Sequence, residues 1–149
     1  MTYNLHVIIR FDLEMALLEG DLKVSDLPTA WRDRYKKDLG IESAGDKNGV
    51  LQDVHWYHGH VGGVFQGYTI GNILSAQFYD SAVAAHPNIP KQVGQGKFDT
   101  LRGWLRQNVH RHGCRFPAPD LVVEATGAPV TIAPYISYLS NKYGALYDL

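Results

Sequence analysis

The chain has 149 residues, 45% of them hydrophobic, with 14 Lys and Arg against 15 Asp and Glu for a formal charge of −1. That length suits one domain with a real core and is short for two. The balanced charge gives no field favouring nucleic acid or an anionic lipid surface, so neither is expected as a partner, and the single cysteine, Cys114, excludes an intramolecular disulfide or a C-x-x-C metal or redox pair and fits a reducing, cytoplasmic setting.

Apolar side chains at Leu5, Ile8, Ile9, Phe11, Met15 and Leu18 begin almost at once, with only Thr2 available as an N-cap, so the chain reads as starting inside a larger arrangement. Arg10, Asp12 and Glu14 interrupt the apolar run, which makes a signal peptide or membrane span a poor description of it. From Tyr3 to Leu18 the apolar groups are too dense for a one-sided surface helix, and both faces are expected to want partners. Gly20 ends this helix. A second follows, with Ser25 and Asp26 as capping groups, Pro28 in its first turn and Trp31, Tyr35 and Leu39 near a spacing of four, before Gly40 stops it.

Periodicity disappears from Ile41 to Gly67, where Gly45, Gly49, Gly59, Gly62, Gly63 and Gly67 stand with three histidines. A long irregular stretch inside a compact domain is functional or disordered, and its aromatic content argues against disorder. Helical spacing resumes at Tyr68 or Thr69 and runs to about His86, where Pro87 and Pro90 interrupt. A short turn over Ile89 to Val93 precedes an amphipathic helix carrying Phe98, Leu101, Trp104, Leu105 and Val109 and closed by Gly113. Pro117 to Thr126 and Thr131 to Tyr143 read as two more helices, separated by Gly127 and Pro129. The expected fold is mainly α, a single domain over residues 1–149 with a long irregular Gly/His-rich segment that has room for a small β-hairpin.

Chemistry-bearing side chains concentrate in that segment: Gln52, Asp53, His55, Trp56, His58 and His60, with Tyr68 after them. His55, His58 and His60 offer three imidazoles, which zinc accepts when a loop lets them converge, yet H-x-x-H-x-H matches neither a helical H-E-x-x-H pair nor a finger spacing. These histidines read more simply as loop side chains that hydrogen-bond or face solvent, and no metal is assigned to the chain on their spacing. His55 has the intrinsic range of an acid–base group and Asp53 can orient a nearby ring, while a packed histidine remains the plainer alternative. Cys114 beside His110 and His112 lacks an identifiable orienting group, and the run HRHGCR reads more simply as a solvated helix end than as an anion grip.

The string GVLQDVHW, Gly49 to Trp56, fits the pattern G-x-x-Q-D-x-H-W of the thermostable carboxypeptidase 1 (carboxypeptidase Taq) family. TYNLHVIIRFDLEMALLEGDL, YTIGNILSAQF, LRQNVHRHGCRF and EATGAPV also resemble that family, so the similarity spans nearly the whole chain and points to the family's C-terminal part. In GGVFQGYT the sequence departs from an aromatic-rich G-Y-F-P-like stretch. The resemblance implies a mainly helical, usually dimeric enzyme that removes C-terminal residues from peptides with a divalent metal, normally zinc. In such enzymes H-E-x-x-H supplies two ligands and the glutamate base, H-E-S-x-Q a third ligand, and I-R-x-x-A-D an arginine for the substrate. None of these strings occurs in this chain.

By the same resemblance His55 and Tyr68 are catalytic candidates, effective only with a metal-bearing half, and Gln52, Asp53 and Trp56 are substrate-binding candidates. Without ligands there is no Lewis acid, and without the glutamate no base for water. The expected function is a carboxypeptidase-like domain that is non-catalytic alone, with a peptide-binding or scaffolding role. The alternative is one subunit of a split zinc metallocarboxypeptidase. Expected partners are a second copy or a complementary metal-binding half, with peptide C-termini as ligands.

Overall fold

The computed structural model describes residues 2–56, 62 and 64–148. It divides into two compact units, Met1–Ile70 and Gly71–Leu149. The described residues form helices and 3₁₀ turns, with no strand among them. This is the mainly α architecture that the periodicity predicts.

In the first unit, α1 (Tyr3–Glu19) and α2 (Leu27–Leu39) pack side by side. Ile9 and Leu13 of α1 meet Leu27, Trp31 and Tyr35 of α2 and Val50, with Leu17, Leu22 and Trp56 around them. Both helices stop where the sequence places glycine, at Gly20 (φ 83°) and Gly40 (φ 67°), because the left-handed conformation is cheap only without a Cβ. The capping residues place the helix starts but make no cap bond: Thr2 and Asp26 form no side-chain bond to the helices they precede, and Ser25 donates to Asp26 instead. α1 buries Val7, Ile9, Leu13 and Glu14 and leaves Tyr3, Leu5, Ile8 and Leu18 exposed, so part of its dense apolar surface lacks a cover within the unit.

The Gly-rich segment winds into three 3₁₀ turns, Asp46–Asn48, Val50–Gln52 and Val54–Trp56, in the described part of the region where a hairpin had room to form. Gly45 (φ 154°) and the close approach at Gly49, where a Cβ would sit 2.8 Å from Ser43 Oγ, bend the chain too tightly for paired extended strands. Helix α3 (Phe65–Ala85) begins earlier than the sequence suggests. Phe65 is only 2% exposed, and its burial carries the helix through Gly67, whose local preference reads as a breaker.

The second unit continues α3 from Gly71 and adds α4 (Ile89–Gly94), α5 (Asp99–Asn108), α6 (Ala118–Thr126) and α7 (Ala133–Tyr147), the last reaching beyond the expected end at Tyr143. Ala82, Ile89 and Trp104 form its core, with Phe78, Val83, Leu101 and Leu105 against them. Buried Gln77 ties the α6–α7 connection to α3: its amide N–H groups donate to Thr126 Oγ1 (3.2 Å) and Pro129 O (3.0 Å), and its Oε1 accepts from Thr131 N (3.0 Å). Removing it takes from the connection its shared partner at Thr126, Pro129 and Thr131 and leaves a cavity where a buried side chain stood. Gln77→Ala is expected to lower stability by about 2 kcal/mol, read from urea unfolding, whereas an exposed control such as Gln95→Ala shifts the midpoint little.

Among the described residues no helix is long and apolar enough to cross a membrane.

Candidate functional site

The chemistry-bearing side chains of GVLQDVHW gather on the turns Val50–Gln52 and Val54–Trp56 of the irregular segment. Val50 is buried in the α1–α2 core and fixes where the segment leaves it. Asp53, in extended conformation between two turns, folds inward and is 9% exposed. Trp56 packs edge-on against Trp31 (centroids 6.2 Å apart) and Phe65 (5.2 Å), and its buried indole Nε1 has no hydrogen-bond partner among the described residues. Gln52 points outward, exposed, with its backbone N–H closing a turn on Gly49 O.

His55 sits at the centre. Its Nδ1 lies 2.6 Å from Asp53 Oδ1, which also accepts from the His55 backbone N–H at 3.1 Å, and its Nε2 lies 2.8 Å from the Tyr68 hydroxyl. Phe65 and Tyr68 are three residues apart on α3 and therefore share a face, so the helix presents an apolar ring and a phenol to the imidazole together (centroids 5.6 Å from each). Tyr68 is 42% exposed, which leaves the outer side of the pair open.

Behind Asp53 stands a layer that sequence reasoning missed. Arg10 of α1 bonds Asp53 Oδ2 through Nε, and its Nη1 donates to His6 O and to Tyr35 Oη, both at 2.8 Å. The guanidinium lies 5.0 Å from the Trp31 ring centroid, within cation–π range. His6 Nδ1 completes the cluster at 3.2 Å from Tyr35 Oη. Burial alone pushes the Asp53 carboxyl up. The hydrogen bonds from His55 and the Arg10 guanidinium outweigh that effect and leave it below the ordinary carboxylate range. Burial holds the Tyr35 phenol up and, with Arg10, pushes His6 down, so both neighbours of the cation stay neutral at pH 7. An arginine set within the apolar run IIRF was the available signal, since such a residue is seldom buried unless paired.

Glu14, one turn after Arg10, was missed for the same reason. Buried, it accepts from Gly62 N–H at 3.1 Å. It stands with His55 as the polar lining of an otherwise apolar cleft of about 440 Å³, walled by Leu17, Leu27, Val50 and Trp56.

His58 and His60 lie outside the described residues, and among those described no three His, Cys, Asp or Glu side chains converge as a metal would require. Both ring nitrogens of His55 are engaged by Asp53 and Tyr68, so neither nitrogen is free for a metal in this arrangement. Cys114 is an exposed free thiol just past the 3₁₀ turn His110–His112, where Arg115 lies over the Phe116 ring.

The family model described as Carboxypeptidase Taq (M32) metallopeptidase matches residues 1–143. The chain is 41% identical over 147 residues to thermostable carboxypeptidase 1 of Thermus thermophilus, covering 99% of this chain and 29% of that protein. It is 38% identical to carboxypeptidase 1 of Bacillus subtilis, covering 100% of this chain and 30% of the other. In structure it is similar to an M32 carboxypeptidase from Deinococcus radiodurans R1, with a TM-score of 0.95 and 52% identity over all of this chain and 30% of that one. The chain thus spans under a third of the length of the curated relatives it matches.

Proposed function

The chain belongs to the carboxypeptidase Taq (M32) metallopeptidase family, and from that premise we propose that residues 1–149 supply a peptide-facing wall of a carboxypeptidase cleft and are not catalytic by themselves. The observation that supports this reading is the Asp53–His55–Tyr68 chain, buried at one end and open at the other. Tyr68, held by His55, offers its open hydroxyl oxygen to a main-chain N–H near a peptide C-terminus, and the apolar cleft beside His55 receives the side chain of the last residue. Gln52 reaches the peptide from the exposed edge, whereas Asp53 and Trp56 act from behind, by holding His55 and closing the aromatic floor.

Peptide hydrolysis also needs a Lewis acid on the carbonyl and a base for water. The described residues do not fit such a metal. Zinc, which the resemblance brings with it, belongs on this reading to residues outside 1–149. His55 and Tyr68 add at most charge stabilisation, worth little until the rest of a site is present. We assign the chain to a reducing, cytoplasmic setting, where the exposed Cys114 thiol persists.

The uncovered face of α1, with Tyr3, Leu5 and Ile8 exposed, favours a cover by a second copy or by a metal-bearing half. Purified chain loaded with zinc or cobalt and freed of excess metal is expected to hold no stoichiometric metal and to release no amino acids from a peptide library. Light scattering is expected to show a dimer or larger. Adding the metal-bearing portion of a relative restores release if the two form a split enzyme. Stoichiometric metal with release by the chain alone overturns the reading, and a monomeric, non-aggregating profile removes self-association.

A further inference from the structure

We propose that Arg10 is the positioning residue that sets the tautomer of His55, placing the ring proton on Nδ1 and leaving Nε2 as an acceptor for the Tyr68 hydroxyl. The inference deepens the reading above, since it specifies what the open end of the Asp53–His55–Tyr68 chain offers to a ligand.

The argument runs outward from the cation. A guanidinium donates and never accepts, and Arg10 is held on three acceptors at once, His6 O, Tyr35 Oη and Asp53 Oδ2, with the Trp31 ring beneath it. Those contacts come from α1, α2 and the irregular segment, so the cation cannot turn away without breaking bonds on all three. Facing it, Asp53 remains a carboxylate, which only accepts. Its Oδ1 lies 2.6 Å from His55 Nδ1, so that nitrogen must carry a proton. In a neutral imidazole the other nitrogen then has only a lone pair, and the proton in the 2.8 Å contact at Nε2 is the phenol's own. The exposed side of Tyr68 therefore presents oxygen lone pairs. It is suited to a donor such as a peptide N–H rather than to a carboxylate.

Asp53 alone does not guarantee this arrangement. A carboxylate 9% exposed and without its cation would tend toward the neutral acid, whose O–H can donate to Nδ1 and invert the ring. Arg10 thus acts on Tyr68 through two intermediates without touching any ligand.

The test is long-range ¹H–¹⁵N correlation of the histidine rings in the ¹⁵N-labelled chain, at a pH where His55 is neutral, assigned with His55→Gln. The Nδ1–H pattern is expected in the wild type and in Tyr68→Phe, because Asp53 and not Tyr68 imposes it. Arg10→Gln is expected to shift His55 toward Nε2–H, and Arg10→Lys to restore much of the wild-type pattern. An Nε2–H ring in the wild type overturns the proposal, as does loss of Nδ1–H in Tyr68→Phe. An Arg10→Gln chain with native helical content and unchanged tautomer does so too. If Arg10→Gln does not fold, the wild-type, Tyr68→Phe and Arg10→Lys spectra decide. No peptide cleavage is read, so the outcome stands apart from whether the chain serves a peptidase.

Discussion

Arg10→Met is expected to cost about 3 kcal/mol of stability at neutral pH, far more than the loss of one exposed ion pair. The pair is largely inside, with side-chain exposures of 15% for Arg10 and 9% for Asp53. Removing the cation leaves the Asp53 carboxyl shielded from water without its partner, and Tyr35 Oη and His6 O lose their shared donor at the same time. Asp53→Asn should cost less, because the Arg10 guanidinium it leaves without a counter-charge is somewhat more exposed and keeps His6 O and Tyr35 Oη as acceptors. The double variant should be more stable than the sum of the two losses, which a double-mutant cycle in urea reads directly. If Arg10→Met and Asp53→Asn cost the same and add, the pair behaves as a surface contact and its place behind His55 loses its energetic basis.

The pH dependence carries a definite sign. Asp53 titrates lower folded than unfolded, so its contribution is complete above the ordinary carboxylate range, about 3.9, and is lost as pH falls through its lower folded value. In Arg10→Met the opposing forces on the carboxyl are reduced while burial remains, so its folded value moves up. The stability gap between wild type and variant should then be widest near neutral pH and narrow as pH falls into the acid range, where the orphaned carboxyl is protonated. A gap that is flat with pH would mean that Asp53 does not sense Arg10.

Much of this cluster follows from local pattern, and the rest from contacts that no local pattern shows. Gly20 and Gly40 were enough to place the ends of α1 and α2, and the Trp31–Tyr35 spacing the buried face of α2, because cap chemistry and helical period are set within a few residues. The likeness to carboxypeptidases that GVLQDVHW suggested holds across residues 1–143. Three features were not readable. Phe65 looks like a loop residue until its ring is seen buried against Trp56, and only that burial draws the start of α3 back by a turn. Arg10 meets Asp53 across 43 positions, a separation on which no spacing rule operates. Glu14 looked like a charge breaking an apolar helix, when it is an acceptor for the backbone at Gly62. Each is a tertiary contact that overrides a local preference, and all three converge on the surroundings of His55.

Trp31→Ala is expected to have the larger effect on the first unit, about 3–5 kcal/mol from the lost side chain and the cavity it leaves. Trp31 is 2% exposed and lies in the α1–α2 core. It stacks on Tyr35 (centroids 4.6 Å apart, planes 21° apart) and meets Trp56 edge-on, contacts worth roughly 0.5–1.5 kcal/mol each beyond the buried area. It is also the face on which the Arg10 guanidinium rests. Trp31→Phe retains an aromatic face for Tyr35 and Arg10 and should lose only about 1–2 kcal/mol. The two variants therefore separate packing from positioning. If the indole serves only as volume, His55 keeps its ring proton on Nδ1 in Trp31→Phe and in any folded fraction of Trp31→Ala. If it is the platform for Arg10, the tautomer survives in Trp31→Phe and is mixed in Trp31→Ala under conditions where far-UV circular dichroism still reports native helix. The geometry favours the second result, because Arg10 reaches Asp53 from above the indole ring, and a methyl group in its place leaves the cation free to turn toward water.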